Sequence, residues 1–485
     1  MNNTNKKIFL PKTFPVTCHT KYVQLGSTFV AIKGQKEDGI NYVCDALQRG
    51  AQKIVVHNDA ELSQDILEAL KKNGAQLERV DNCRRALAQL SAQAHGYPAK
   101  KLKILGVTGT KGKTSTTFMV EHLLRSAGYK TALLSTVHNK IGDTIFPTEL
   151  TTAQPDYLHS FFSVCVQNNV EYVVLEVAAQ ALSLHRVHGL SFDGAIFTNF
   201  GQEHAEFYKT QDDYFAAKCQ LFEHLKTGAP MLINADDKKG QEILQTYPEF
   251  IPFSLLHENA TFKARPIELV KRLSCSVCKE ESCVVAACPA LFGMFNAYNM
   301  LGALSLVNLL GVALEQSAQA LNSFAHVPGR LERYELPNGA ICFIDHAHNP
   351  SSFEAVLTTL RKMTDQLIVL FGAGGQRDKT KRPQMGEIAA RYADHVVITS
   401  DNPRTEDPLT IATDICVGIC KDDRGKTVCE LDREKAIQQA YKLSKKNGII
   451  ALLGKGTDEY QIFGNTKTYF SEREIVREMC NEKRF

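Results

Sequence analysis

The 485-residue sequence has almost no excess charge of either sign: 56 Lys and Arg stand against 53 Asp and Glu, a formal net of +3. That balance excludes the electrostatic footprint of a protein that binds nucleic acid or a membrane surface. Long apolar runs are also missing. The best candidate, Met300 to Leu314, is broken by Ser305 and Asn308 and reads as a buried helix, not a membrane span. A signal-peptide core is absent, since only Ile8-Phe9-Leu10 precedes Pro11. The expectation is therefore a cytoplasmic protein whose 14 cysteines stay reduced. There is no internal repeat and no low-complexity tract. A second CxxC is lacking as well. Cys275 and Cys278 form one, but Cys283 and Cys288 are too widely spaced to form another. Ser274 to Ala287 reads as a β-hairpin turning at Lys279-Glu280-Glu281-Ser282. Its thiols are expected to be small buried hydrophobes and not zinc ligands.

What is present is the composition of an ordinary globular enzyme, 44% hydrophobic and 22% charged, in a chain long enough for two to four domains. Three α/β sections are expected: residues 1–97, 98–330 and 331–485. The first has a strand-like run at Ser27 to Ile32, helical patterns at Val43 to Arg49 and Ala60 to Lys72, and a strand between them at Lys53 to Val56. The second opens on the buried strand Lys103 to Thr108, then a Gly-containing loop and a helix from Thr114 to Gly128. Further strands at Tyr172 to Glu176, Gly194 to Thr198 and Met231 to Asn234 predict a mostly parallel sheet. The third has strands at Cys342 to Asp345, Leu367 to Phe371, His395 to Thr399 and Gly448 to Leu453, a doubly wound, Rossmann-like pattern.

The loop Gly109-Thr110-Lys111-Gly112-Lys113-Thr114-Ser115 carries the chemistry. Gly109 and Gly112 let backbone N–H groups approach phosphate oxygens. Lys113 places a charge between the terminal phosphates, and Thr114 can offer its hydroxyl to Mg²⁺. The strict Walker pattern fails at Val107, but strand, loop and helix together predict ATP binding.

Thr108-Gly109-Thr110-Lys111-Gly112-Lys113-Thr114 resembles the phosphate loop of the Mur ligase superfamily. The resemblance implies ATP and Mg²⁺ as cofactors, with Lys113, Glu176, His204 and Lys218 as catalytic residues. Mg²⁺ would be held by Thr114, Glu176, His204 and Lys218, the last as a carbamate. It assigns Asn296, Asn299, Arg330 and Asp345 to ATP. Within the superfamily the chain is most similar to the E-type tripeptide synthetases that add meso-diaminopimelate. Asp401-Asn402-Pro403-Arg404 matches their signature. An Arg there suits the extra carboxylate of diaminopimelate in a bidentate pair. Arg377, Gly454 and Asp458 match other contacts to the amino acid. Ser27, Thr151, Thr152 and Arg186 match contacts to the UDP-linked muramoyl dipeptide. The implied reaction passes through an acyl phosphate and releases ADP and phosphate, in a monomer that closes about the Arg330 linker.

Several positions depart from that pattern. His19-Thr20-Lys21 replaces an Asp-Ser-Arg stretch, Ala178 replaces a Ser, Leu184 replaces a Gln, and Lys111 replaces a common Asn. Asp458 stands for a Glu one methylene longer. Several of these changes lie on the substrate side, with Ala178 and Leu184 in the acceptor pocket. A superfamily ligase with another acceptor or amino acid, such as L-lysine, therefore stays open, as does a non-catalytic nucleotide-binding homologue. A dehydrogenase would need a third spaced Gly after Gly372-Ala373-Gly374-Gly375.

Overall fold

The computed structural model describes residues 8–34, 37–203 and 207–481. Its chain divides into two compact units. One runs up to Thr261 and includes Gly302–Ser317; the other comprises Phe262–Leu301 and Ala318 onward.

The first unit holds two sheets. Strands β1 (Val16–Thr17), β2 (Thr28–Val30), β3 (Lys53–His57) and β4 (Gln76–Val80) form a small parallel sheet in sequence order. It is covered on one face by the helices Val43–Gln48 and Gln64–Asn73 and on the other by Cys83–Ala94. The second helix starts at Gln64, because Ser63 caps it by accepting from the Ile66 N–H. The central sheet follows: β5 (Lys103–Thr108), β6 (Thr131–Leu134), β7 (Asn139–Ile141), β8 (Thr144–Phe146), β9 (Tyr172–Glu176), β10 (Gly194–Phe197), β11 (Met231–Asn234) and β12 (Ile251–Ser254). Its order is β12-β11-β10-β5-β9-β6-β7-β8, parallel except for the β6-β7-β8 meander. Continuous apolar runs such as Tyr172-Val173-Val174-Leu175 are buried on both faces, as a helix-covered parallel sheet requires.

The second unit begins with three antiparallel strands, β13 (Phe262–Glu268), β14 (Leu273–Lys279) and β15 (Ser282–Cys288). The hairpin turns at Glu280-Glu281, with Glu280 in the left-handed region. One expectation is corrected here: Cys278 and Cys283 are not both free thiols but are joined in a disulfide. The two-residue turn places them directly opposite each other, with Cα atoms 4.1 Å apart. Twelve cysteines are free, and no group of three or more metal-ligating side chains occurs among the described residues. Helix Met294–Leu309 ends before Gly311, so the apolar run through Leu314 is two helices, not one. No helix among the described residues is long and apolar enough to cross a membrane.

The C-terminal sheet comprises β16 (Glu332–Glu335), β17 (Ile341–Asp345), β18 (Leu367–Phe371), β19 (His395–Ile398), β20 (Thr427–Cys429) and β21 (Ile449–Leu453). Its order is β16-β17-β21-β18-β19-β20, all parallel but β16. Apolar clusters line both faces, so the fold is the expected doubly wound layer. A hairpin, β22 (Tyr460–Phe463) and β23 (Thr466–Tyr469), completes the unit.

Candidate functional site: a phosphate loop and a second loop cluster

β5 runs into the loop at its C-terminal end, and helix Lys113–Ser126 begins at Gly112, whose φ is 83°. The helix start carries no side-chain cap, and backbone N–H groups at such a helix N-terminus are suited to donating to an anion. The adjacent strand β10 shapes the loop. Thr198 Oγ1 donates to the Lys111 carbonyl at 2.6 Å, and Asn199 Oδ1 accepts from the Lys111 N–H at 2.9 Å. The Thr110 N–H donates to the Asn199 carbonyl at 2.8 Å. Gly109 has φ 140°, and a Cβ there would lie 2.0 Å from Thr198 Oγ1, so glycine is required. Thr198 and Asn199 thus act as supports, a role that the sequence pattern, in which they form the strand end ahead of His204, did not show. A polar pair at a strand end beside a phosphate loop is the signal that could have found them.

Two lysines converge on this loop. Lys113 Nζ donates to the carbonyls of Gly109 and Thr110 at 2.9 and 2.8 Å. Lys218 Nζ donates to the same Gly109 carbonyl at 2.7 Å and lies 4.4 Å from the centroid of the Tyr214 ring. Lys218 is buried, in a helix (Gln211–Cys219) whose start is fixed by a Thr210–Asp213 capping box. Burial first, and the charge of Lys113 second, push its pKa well below the usual lysine value. A depressed pKa favours the neutral amine, the form that reacts with CO₂, which fits a carbamate at this position.

Glu176 ends β9 opposite Val107 in β5 and is fully buried. Its carboxylate accepts from the Thr136 N–H at 2.9 Å and from Thr136 Oγ1 at 3.1 Å. Thr136 Oγ1 also reaches Thr151 Oγ1 at 3.2 Å. Thr152 Oγ1 donates to the Glu176 carbonyl at 2.7 Å and accepts from the Ala178 N–H at 3.0 Å. Arg186 Nη1 donates to the Thr152 carbonyl at 2.9 Å. The structure therefore joins Glu176, Thr151, Thr152 and Arg186 in one network with Thr136, which no motif indicated. Thr114 is buried one residue after Lys113, and Ser115 follows it. A buried carboxylate and a helix-start hydroxyl are oxygen donors of the kind that suits Mg²⁺. Ser27 is also buried, with its hydroxyl donating to the Phe14 carbonyl at 2.7 Å. His204 lies outside the described residues.

The other predicted residues lie in the second unit. Asn299 Nδ2 donates to Asn296 Oδ1 at 3.1 Å, and Asn296 Nδ2 to the Phe292 carbonyl at 2.9 Å, so the pair is buried and oriented at the start of its helix. Asp345 ends β17 and accepts from the N–H groups of Leu331, which follows Arg330 in sequence, and of Ala347, at 2.7 and 2.8 Å. Gly372 to Gly375 follow β18, Asp401 to Arg404 follow β19, and Gly454 follows β21. These are the C-terminal ends of neighbouring strands, where open α/β sheets bind ligands. The glycines serve packing between loops. A Cβ on Gly372 would sit 2.2 Å from the Thr399 carbonyl oxygen, and one on Gly375 only 1.8 Å from that of Pro403. Around Gly374 a Cβ would meet Arg404 Nη1 at 3.1 Å and Arg377 Cγ at 3.5 Å, so both predicted arginines flank it. Arg404 Nη1 donates to the Gly375 carbonyl at 2.8 Å, and its backbone is left-handed at φ 55°. Asp458 has a raised pKa, through burial first and then the charge of Asp401.

A glycine-bounded phosphate loop on a parallel sheet, with a buried carboxylate and two lysines around it, defines a phosphate-binding α/β protein. The chain belongs to the Mur ligase family. Residues 107–307 match the Mur ligase middle domain and residues 329–456 the Mur ligase glutamate ligase domain. It is 36% identical over 475 residues to the UDP-N-acetylmuramoyl-L-alanyl-D-glutamate-2,6-diaminopimelate ligase of Clostridium botulinum, covering 96% of this chain and 94% of that one. The corresponding ligase 1 of Clostridium acetobutylicum is 37% identical over 461 residues, covering 94% and 92%. A solved structure of a ligase of the same name superposes with a TM-score of 0.66 at 24% identity, over 98% of this chain and 96% of that one. The MurF ligase of Thermotoga maritima, solved in complex with ADP, gives 0.65 at 19%, over 100% and 99%. These two likenesses establish the fold.

Proposed function

We propose that the protein is an ATP-dependent amide ligase that joins meso-diaminopimelate to UDP-MurNAc-L-Ala-D-Glu in peptidoglycan precursor synthesis, acting in the cytoplasm as a monomer. The observation that carries the reading is the Asp401–Arg404 turn, seated on Gly372–Gly375 with Arg377 and Arg404 together, in a chain whose curated relatives are named for diaminopimelate. Residues 1–97 would hold the UDP group, 98–330 ATP, and 331–485 the amino acid.

The side-chain carboxylate of D-Glu attacks the γ-phosphorus of ATP, the bond to the β-phosphate oxygen breaks, and ADP leaves. The amine of diaminopimelate then attacks the acyl phosphate; phosphate departs and the amine loses a proton. Two anions must meet in the first step, and Lys113 offsets their repulsion while the loop N–H groups hold the phosphates. Mg²⁺, when bound, neutralises phosphate charge. Thr114 and Glu176 would hold one ion, and His204 with carbamylated Lys218 another. Arg186 and the Thr151–Thr152 pair orient the acceptor, and Arg404 and Asp458 take the distal carboxylate and ammonium of the amino acid. A different acceptor is the second reading, favoured by Ala178, which offers no hydroxyl where Thr152 already takes its N–H.

Phosphate release with ATP, Mg²⁺ and UDP-MurNAc-L-Ala-D-Glu tests both. The expected result is release with meso-diaminopimelate well above that with L-lysine. Equal release with the two amino acids would sink the diaminopimelate assignment. Release only with another carboxylate acceptor would favour the second reading.

A further inference from the structure

Lys455 plays no part in the chemistry above, yet it is a fully buried cation beside the amino-acid loops. Its Nζ donates to the Tyr460 carbonyl at 2.6 Å and lies 3.3 Å from Asp401 Oδ1 and 3.4 Å from Asn402 Oδ1. The rings of Tyr460 and Phe470 flank it, with centroids at 5.9 and 5.8 Å. Asp401 Oδ1 has no well-oriented hydrogen-bond donor, so the charge of Lys455, more than a directed bond, compensates it. Burial alone would raise the pKa of Asp401, but Lys455 and Arg433 override that and hold it below the usual carboxylate value. Arg433 sits behind this group and is neutralised by its own buried pair with Glu472 at 2.8 Å.

Resting on the diaminopimelate reading, we propose that Lys455 is a specificity-determining residue. By cancelling Asp401 it keeps the pocket of Arg377, Arg404 and Asp458 selective for an amino acid whose far end carries a carboxylate as well as an ammonium. The charges support this. Lys455 is the one cation that acts on both Asp401 and Asp458, with Arg433 contributing at the first and Lys467 at the second. Without Lys455, Asp401 keeps only the more distant Arg433, already paired with Glu472, and its charge bears more strongly on Asp458, whose own pKa already registers it. A second free carboxylate attracts a bare ammonium, as in L-lysine, and repels the distal carboxylate of diaminopimelate. The position of Lys455 is fixed independently of substrate: its carbonyl meets His346 Nδ1 at 3.2 Å, and burial keeps that imidazole neutral, its pKa lowered to about 3.

The test uses the full chain with Lys455→Met and Lys455→Arg. Phosphate release is measured with UDP-MurNAc-L-Ala-D-Glu and either amino acid, at a pH where carboxylates are ionised. In the Met variant the ratio of kcat/KM for diaminopimelate to that for L-lysine should fall about tenfold or more, mostly through KM for diaminopimelate. KM for ATP should stay within about twofold, and the Arg variant should keep the ratio within about threefold. An unchanged ratio in the Met variant overturns the proposal, and so does an equal loss in both variants, which would mark packing and not charge. If melting shows that Lys455→Met is unfolded, Lys455→Gln must lose the ratio where Lys455→Arg keeps it, or the proposal falls. A wild-type protein with no preference for diaminopimelate would instead refute the reading on which this one rests.

Discussion

The phosphate loop and the Asp401–Arg404 turn are built in opposite ways. The loop is a continuous segment of strand, turn and helix, supported by two residues of a neighbouring strand end, Thr198 and Asn199. The turn is held by four segments scattered along the second unit. Gly372 to Gly375 lie beneath it, and Lys455 pairs with Asp401. Ile462 accepts from the Arg404 N–H at 2.9 Å, and Arg433 donates to the Ser400 and Leu453 carbonyls at 3.1 and 2.9 Å. A continuous motif binds what every nucleotide shares, its phosphates. A turn assembled from distant segments can change its pocket by altering any of them, and so is suited to choosing a substrate.

The contrast can be tested. The largest effect is expected at Lys113→Ala, which should lower ADP formation by about a thousandfold or more with any amino acid. Retained turnover would break the assignment of the loop. Lys218→Met should cost about a hundredfold in rate and yet raise the melting midpoint by a few degrees in CO₂-free buffer. The sign follows from the depressed pKa. Burying the amine costs nothing above the ordinary lysine value of 10.5, and the penalty grows as pH falls below it. Methionine removes that penalty, so the gain in midpoint should be larger at pH 7 than at pH 10. A carbamate signal from ¹³C-bicarbonate in the wild type should be absent in this variant.

Gly375→Ala should raise KM for diaminopimelate about tenfold and cost roughly 1–3 kcal/mol of stability, since its Cβ collides with a backbone oxygen. KM for ATP should not move, and a shift in both constants would erase the distinction between the two regions. The smallest effect is expected at Ala178→Ser. A restored hydroxyl should lower KM for the muramoyl dipeptide a few-fold, on the order of one neutral hydrogen bond. A rise would point to a repacked pocket or another acceptor.

Much of the architecture was legible beforehand because alternation of apolar runs and helical periodicity is a local property. The strands at Lys103, Tyr172, Leu367 and Gly448 fall within a residue of their expected places. The hairpin around Glu280 was legible too, but its disulfide was not, because pairing depends on register across the turn and not on composition. Thr136 was missed, and the roles of Thr198, Asn199 and Lys455 could not be read from the motifs they stand in, for a related reason. Each acts by contact with a residue distant in sequence or by support of a backbone carbonyl, and no spacing announces that.

The sequence by itself determined that this chain folds as layered α/β units, that one of them carries a phosphate loop at Gly109 to Thr114, and that its relatives are Mur ligases. These follow from patterns in which neighbours along the chain remain neighbours in space. Only the tertiary structure decided which lysine is buried against the Gly109 carbonyl, which threonines hold Glu176, and which cation cancels Asp401. Those are decisions of desolvation and charge, set by what the fold places within a few ångströms and not by the order of residues.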